Sequence, residues 1–278
     1  MNQKEHPQTV EFEAWASYFT ANLARHERLD ALIPWDTPCA LPHRDAAALA
    51  RSLQRFELGE GGEGTGLLAR ARSRHDPAYD AALKLFIAEE QKHSALFLAA
   101  LGHLGVEPLG SHWSDAAFVR LRRLVGLRTE ITLFLIAETV AMEYFLALRR
   151  SDDPVVQGVA RRILTDEVEH VRFQIDQLRA GFAGVPRPGR VVAASAAWVV
   201  AVGAATVLAI DHGPALRALG LRPSTFWRRA LGHFGRSAPL AFRLSRRVAP
   251  VGPMAEPREH PLQPAGSGQR TVVRDCRG

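Results

Sequence analysis

The sequence predicts an all-α protein, and three observations carry that prediction. Apolar residues recur at helical spacing through most of the chain. Alternating runs of Val, Ile or Thr are few, and no Asn-Gly or Asp-Gly hairpin turn occurs. The composition is ordinary for a globular protein, with 278 residues, 47% of them hydrophobic and 23% charged, enough to bury a sizeable core. This excludes a disordered chain, a fibrous repeat and a disulfide-stapled miniature domain.

The elements follow in order. A first helix is expected from about Thr9 to Glu27, then a connector carrying Pro34, Pro38 and Pro42. A second helix is expected over about Arg44 to Arg72. A third starts at Pro77, since proline suits a first helical turn, and stops at Gly102 to Gly105. After a linker with Pro108 and Trp113 the pattern resumes near Asp115, with a break at Gly126, and ends near Arg150. Asp152-Asp153-Pro154 signals the start of a helix running to about Ala183. Residues 44–183 therefore read as a four-helix bundle, preceded by an N-terminal helix and connector over 1–43. A helical extension over 184–249 and a tail over 250–278 follow it.

Within the extension, Val191 to Ile210 holds no charge, and its length would span a bilayer. Eight of those 20 residues are alanine, interrupted by Ser195, Gly203 and Thr206, which favours a helix packed on the bundle. Peripheral membrane contact is the second reading. A shorter amphipathic stretch, Phe226 to Val248, follows. From Pro250 onward Pro, Gly and Arg dominate with no apolar period, and disorder is expected.

The net charge of +6 comes from 32 Arg and only 3 Lys, scattered along the chain. No nucleic-acid-reading motif accompanies the charge, so no nucleic-acid partner is expected. Cys39 and Cys276 are the only cysteines, which leaves no disulfide framework, zinc ribbon or four-cysteine iron site. With a polar, acidic N-terminus, a reducing cytoplasm is the default expectation.

One constellation carries chemistry. Glu89-Glu90-Gln91-Lys92-His93 and Asp166-Glu167-Val168-Glu169-His170 each contain Glu-x-x-His on an expected helix, so carboxylate and imidazole share a face. Such a pair is common by chance in a chain with 17 Glu and 11 His; the weight lies in the mutual spacing. The copies stand 77 residues apart, and Glu60 and Glu138 stand 78 apart, 30 and 29 residues upstream of Glu90 and Glu167. Other acids nearby, Glu57, Glu63 and Glu143, have no counterpart at that offset. The four glutamates fall on apolar stripes, where buried acids need a partner. Oxygen donors with one nitrogen for each of two ions suit iron or manganese better than zinc.

This set resembles the ligand set of the ferritin-like di-iron carboxylate superfamily, in which two helices of a bundle each give one Glu and two give Glu-x-x-His. The resemblance covers residues 44–183. It implies a ferritin-like four-helix bundle holding two Fe ions, or Mn/Fe or Mn, that react with dioxygen or peroxide. Glu60 and Glu138 would be the single-helix ligands, Glu90 and Glu167 the bridging carboxylates, and His93 and His170 the nitrogen ligands. Glu89 and Asp166 are placed to accept a hydrogen bond from the far ring nitrogen of the opposite motif's histidine. The bland alternative for the whole set is surface glutamates beside ordinary histidines. The other histidines, His26 and His212 among them, receive no role.

Four glycines surround Glu60, at 59, 61, 62 and 64, each costly in a helix. Close packing of a neighbour or room for a substrate or dioxygen would each account for them. The superfamily hosts many reactions. Relatives that resemble the arylamine N-oxygenases carry a further histidine where this chain has Ile163, which counts against N-oxygenation. The expected function is oxidation of a small organic substrate with dioxygen, with electrons from an external donor. An iron-handling or peroxide-scavenging protein is the alternative, and a non-catalytic helical module the third reading. A homodimer is open at this stage.

Overall fold

Amphipathic stripes assemble the chain as the sequence predicts at the level of class. The computed structural model describes residues 11–61, 64–113, 126–245 and 251–254, which are helical with short connections and contain no strand. Helix α1 spans Phe12–Asp30, α2 His43–Glu60, α3 Thr65–Ala71, α4 Pro77–His103, α5 Leu127–Leu148 and α6 Pro154–Gly181. Then come α7 (Arg187–Asp211), α8 (Gly213–Ala218) and α9 (Pro223–Ala241). The resumption expected near Asp115 falls partly on residues 114–125, outside the described part, as do 255–278 of the tail.

Packing runs α2 against α4, α4 against α6 and α6 against α5. Helix α1 lies over α4 and α6, while α9 bridges α5, α6 and α7. One contiguous apolar core extends from Phe12 on α1 to Phe242 just beyond α9. Its densest part is aromatic: Trp15, Phe19, Phe86 and Phe173 are fully buried, with Phe173 centred 5.2–5.6 Å from the other three rings. Each such side chain contributes on the order of 1.5–3 kcal/mol by burial.

The caps follow sequence logic. Asp153 accepts hydrogen bonds from the amides of Val155 and Val156 at the start of α6, with Pro154 in the first turn. The same carboxylate takes the Ala40 amide and His103 Nε2, tying the Pro-rich connector and the end of α4 to α6. Asp76 caps α4 through the Tyr79 amide.

The single helix expected over 44–72 is broken. Helix α2 ends at Glu60, and α3 starts after Gly64, whose φ of +64° only glycine adopts cheaply. A Cβ there would also stand 2.6 Å from Cδ1 of Ile87. The expected disordered tail needs a correction at its first residues. The Val251 and Gly252 amides donate to Asp176 at 2.8 Å, and Arg172 donates to the carbonyls of both.

Helices α5 and α7 are both long and apolar enough to cross a membrane, but they are used differently. Of the most apolar stretch of each, 78% is buried in α5 and 22% in α7. Helix α7 buries the small stripe Ala194, Ala197, Ala201 and Ala205, packs on α5 and α9, and leaves Val192, Val199 and Ile210 exposed.

The break at Gly64 yields a stability prediction. Gly64→Ala is expected to cost roughly 1–3 kcal/mol in urea unfolding, from strain at positive φ and the clash with Ile87. Gly59→Ala, with open space around its Cβ, is expected to be neutral or stabilising by up to about 1 kcal/mol.

Candidate metal centre

Residues i and i+3 share a helix face, so α4 presents Glu90 with His93 and α6 presents Glu167 with His170 to the same interior space. One ligand atom from each of these four lies within 4.8 Å of the others. His170 Nδ1 is 2.7 Å from Glu90 Oε1, and His93 Nδ1 is 3.4 Å from Glu167 Oε1. Both imidazoles and Glu167 are buried, and the Glu90 side chain keeps 12% exposure. Glu138, buried on α5, adjoins the group, and one of its oxygens accepts from Gln174 Nε2. Glu60, the last residue of α2, is half-buried and lines the same space as Glu90, Glu138 and Glu167. All six residues singled out by spacing therefore converge.

The polar atoms of this group divide into two layers. Facing outward, His93 Nε2 bonds Asp166 Oδ2 at 3.0 Å and His170 Nε2 bonds Glu89 Oε2 at 2.9 Å. Each acid thus holds the histidine of the opposite motif. Those bonds use Nε2–H and turn Nδ1 toward the centre, where it offers a lone pair whenever the ring is neutral. Facing inward, Glu90 Oε1, Glu138 Oε2, Glu167 Oε2 and both Nδ1 atoms are buried without a hydrogen-bond partner. Their contacts with one another are close but lack hydrogen-bond alignment.

The charges say the same. Burial, reinforced by neighbouring carboxylates, pushes Glu60 and Glu138 well above the usual carboxylate range. Burial also raises Glu167, against the pull of His93. Burial would raise Glu90 too, but the positive charge of His170 beside it holds it down to about 2. Burial disfavours the imidazolium of His93, yet Asp166 and Glu167 raise it to about 9. The cluster is short of positive charge and borrows protons to supply it; a bound cation would displace those protons.

Residues that spacing did not reveal complete the outward layer. Asn22 Nδ2 of α1 donates to Glu89 Oε1 at 3.2 Å, and His26 Nε2 sits 3.0 Å from Asp166 Oδ1. Arg162 Nη1 donates to Asp166 while its Nε donates to Asp30 at 2.8 Å. His26, given no role by the sequence, supports the carboxylate that holds His93. The group His26, Glu89 and Asp166 also meets a distance criterion for a metal site. Its carboxylate oxygens, however, are already engaged by Asn22, His93, His170 and Arg162.

An apolar cavity of about 520 Å³ opens beside the carboxylates. Phe56 and Gly59 of α2, Phe86 and Ile87 of α4, Leu133 and Ile136 of α5, and Val207 and Leu208 of α7 line it. Glu60, Glu90, Glu138 and Glu167 form one wall; Arg55 and His212 are the further polar lining residues. Of the glycines around Glu60, Gly64 admits Ile87 closely, and Gly59 and Gly64 border the cavity.

No protein-family description matches the chain, and no curated protein does.

Removing Asp166 would strand Arg162, His26 and His93, all buried. Asp166→Ala is expected to destabilise the protein by about 3–5 kcal/mol in chemical unfolding, the range for breaking a buried ion pair from one side. His26→Ala removes one hydrogen bond and some packing, and is expected to cost less than half as much.

Proposed function

We propose that this chain is a ferritin-like di-metal carboxylate oxidoreductase, which binds two iron ions, or manganese in place of one or both, and oxidises a small apolar molecule with dioxygen or peroxide. The observation that carries the reading is the convergence of Glu90, His93, Glu167 and His170 within 4.8 Å of one another, with five buried ligand-type atoms of these four and Glu138 lacking an aligned hydrogen bond. Buried polar atoms are ordinarily satisfied, and a converging set of unsatisfied oxygen and nitrogen donors fits a cation. The donor chemistry fits iron or manganese: carboxylates and neutral imidazoles, with no thiolate. Glu60, Glu90, Glu138 and Glu167 would hold the ions through carboxylate oxygens, and His93 and His170 through Nδ1. When bound, such a pair of ions supplies the redox chemistry that activates dioxygen.

The protein's own groups do the rest. Asp166 and Glu89 fix the imidazole tautomers and raise their basicity, as carboxylates behind metal-binding histidines do. Gln174 holds one oxygen of Glu138 and leaves the other turned inward. The apolar walls exclude water and accept an apolar substrate beside the carboxylates, in a volume typical of small-molecule pockets. That cavity favours a substrate-oxidising enzyme over an iron-storing or peroxide-scavenging protein, which has no use for it. Electrons would come from an external donor, since the sequence carries no flavin or nucleotide fingerprint.

Elemental analysis of protein produced with iron and manganese available tests this. About two ions per chain are expected, in keeping with the six-ligand set, and they should be absent from the Glu90→Ala, Glu167→Ala double variant. Asp166→Asn, which keeps shape but not charge, is expected to weaken metal affinity about 10–100-fold. Metal-free protein that also fails to take up ferrous iron anaerobically would overturn the proposal.

A further inference from the structure

The cavity has a second polar end that the metal centre does not use. His212, just beyond α7, is buried and stacks on Phe56 with ring centroids 4.9 Å apart. Its Nδ1 lies 2.6 Å from the Ser52 hydroxyl, which lies 2.6 Å from the hydroxyl of Tyr144. Counting protons orients this chain. Tyr144 is fully buried, and Ser52 is the only hydrogen-bonding partner of its hydroxyl among the described residues. If Nδ1–H donated to Ser52 and Ser52 to Tyr144, the tyrosine proton would be left without an acceptor, at a cost of about 1–3 kcal/mol. In the satisfied arrangement Tyr144 donates to Ser52 and Ser52 donates to Nδ1. The ring proton then sits on Nε2, which has no partner among the described residues, in a residue that lines the cavity. Burial and the nearby Arg55 charge hold the imidazole neutral, its pKa lowered to about 3.

Arg55 lines the cavity as well, one turn along α2 from Ser52. Its Nη1 donates to the backbone carbonyl of Asp211, and it makes no ion pair with a carboxylate among the described residues. A permanent cation and a neutral N–H donor therefore stand together at this end. Helix geometry gives the distance to the other end. On α2, Arg55 is five residues from Glu60 and Ser52, which holds His212, is eight from it, or roughly 8 and 12 Å along the helix axis at about 1.5 Å per residue. Between the two ends the lining is apolar.

We propose that Arg55 and His212 bind the carboxylate head of an aliphatic acid whose apolar tail extends toward the Glu90–Glu167 group. The inference deepens the proposed function: it names the substrate class as a medium-chain carboxylate and the oxidised position as one remote from the head. Arg55 supplies the counter-charge and His212 a directed hydrogen bond, while Ser52 and Tyr144 are positioning residues that fix the His212 tautomer.

Isothermal titration calorimetry of the full-length protein as isolated, with decanoate, 1-decanol and decylammonium, tests it. These probes share a tail and differ in the head. Decanoate is expected to bind at least tenfold more tightly than 1-decanol, and decylammonium most weakly. Arg55→Gln should bring decanoate down to the affinity of 1-decanol, and His212→Phe should weaken both; circular dichroism melts establish that each variant is folded. Arg55 is half-buried, so its variant tests the proposal even if His212→Phe does not fold. Equal binding of the three probes, no binding of any, or a preference that survives Arg55→Gln would overturn the proposal. Selective decanoate binding by a protein that takes up no iron would sink the oxidase reading alone. Iron uptake without decanoate preference would sink this inference alone.

Discussion

Several carboxylates buried together in a helical bundle are the constraint on which the rest of this structure depends. Unopposed, such a group is expelled to solvent or neutralised by protons, because desolvation and mutual repulsion act in the same direction. The chain answers with two layers. Glu89 and Asp166, the outer carboxylates, are fully occupied by Asn22, His26, Arg162 and the two ring Nε2–H groups. The inner ones keep their free oxygens turned toward each other. An arrangement that engages every oxygen of the outer carboxylates and leaves inner oxygens without hydrogen bonds calls for positive charge at its centre. The raised carboxyls and raised imidazoles are what the protein does when protons are the sole source of that charge.

The adjacency of acids in each motif has a geometric reason. Neighbouring residues on a helix point about 100° apart. When Glu90 or Glu167 faces the centre, Glu89 or Asp166 faces the flank. There the far nitrogen of the opposite histidine emerges, which is why the supports cross between motifs. Helix α1 breaks this near-symmetry. It gives Glu89 an amide from Asn22, whereas Asp166 receives His26 from α1 and the guanidinium of Arg162 from its own helix. The two halves of the candidate centre are electrically unequal: the fixed charge of Arg162 comes from α6 itself, and α1 adds the unlike partners Asn22 and His26.

The legible and illegible parts of the sequence separate along physical lines. Helix class, the starts at Pro77 and Pro154, and the six converging residues were readable, because caps and i,i+3 spacing are local. Asn22 and His26 were not read, although they continue the stripe of Phe12, Trp15 and Phe19 at helical spacing. Polar residues on an otherwise aromatic stripe were the available signal; their partners lie 67 and 140 residues away, which no local pattern reveals. Arg162 stood four residues before Asp166 and was readable in principle as a helical ion pair. The break at Gly64 was missed for the same reason that makes it necessary. Its cause is Ile87 on another helix, and a glycine that looks merely destabilising in its own helix is required by that neighbour. The role of α7 as a cavity wall was equally hidden, since alanine content points to a helix packed on the bundle without saying that a cavity lies between them.

The cavity owes its volume to small residues from several helices, with Gly59, Gly64, Ala137, Ala141, Gly203 and Ala204 along its walls. A void of about 520 Å³ forfeits dispersion contacts that ordinary side chains would fill, a substantial loss against the few kcal/mol by which domains are stable. Packing alone would close it, and any larger side chain at these positions would begin to do so. Its borders fit use better than accident. At one end stand carboxylates with free oxygens, and at the other a hydrogen-bonded histidine beside an arginine without an ion-pair partner among the described residues. An apolar space with polar groups of opposite character at its two ends would select molecules by length and by head at once. Neither the bundle nor the candidate centre requires that combination, and a bound molecule that met both ends, as proposed, would account for it.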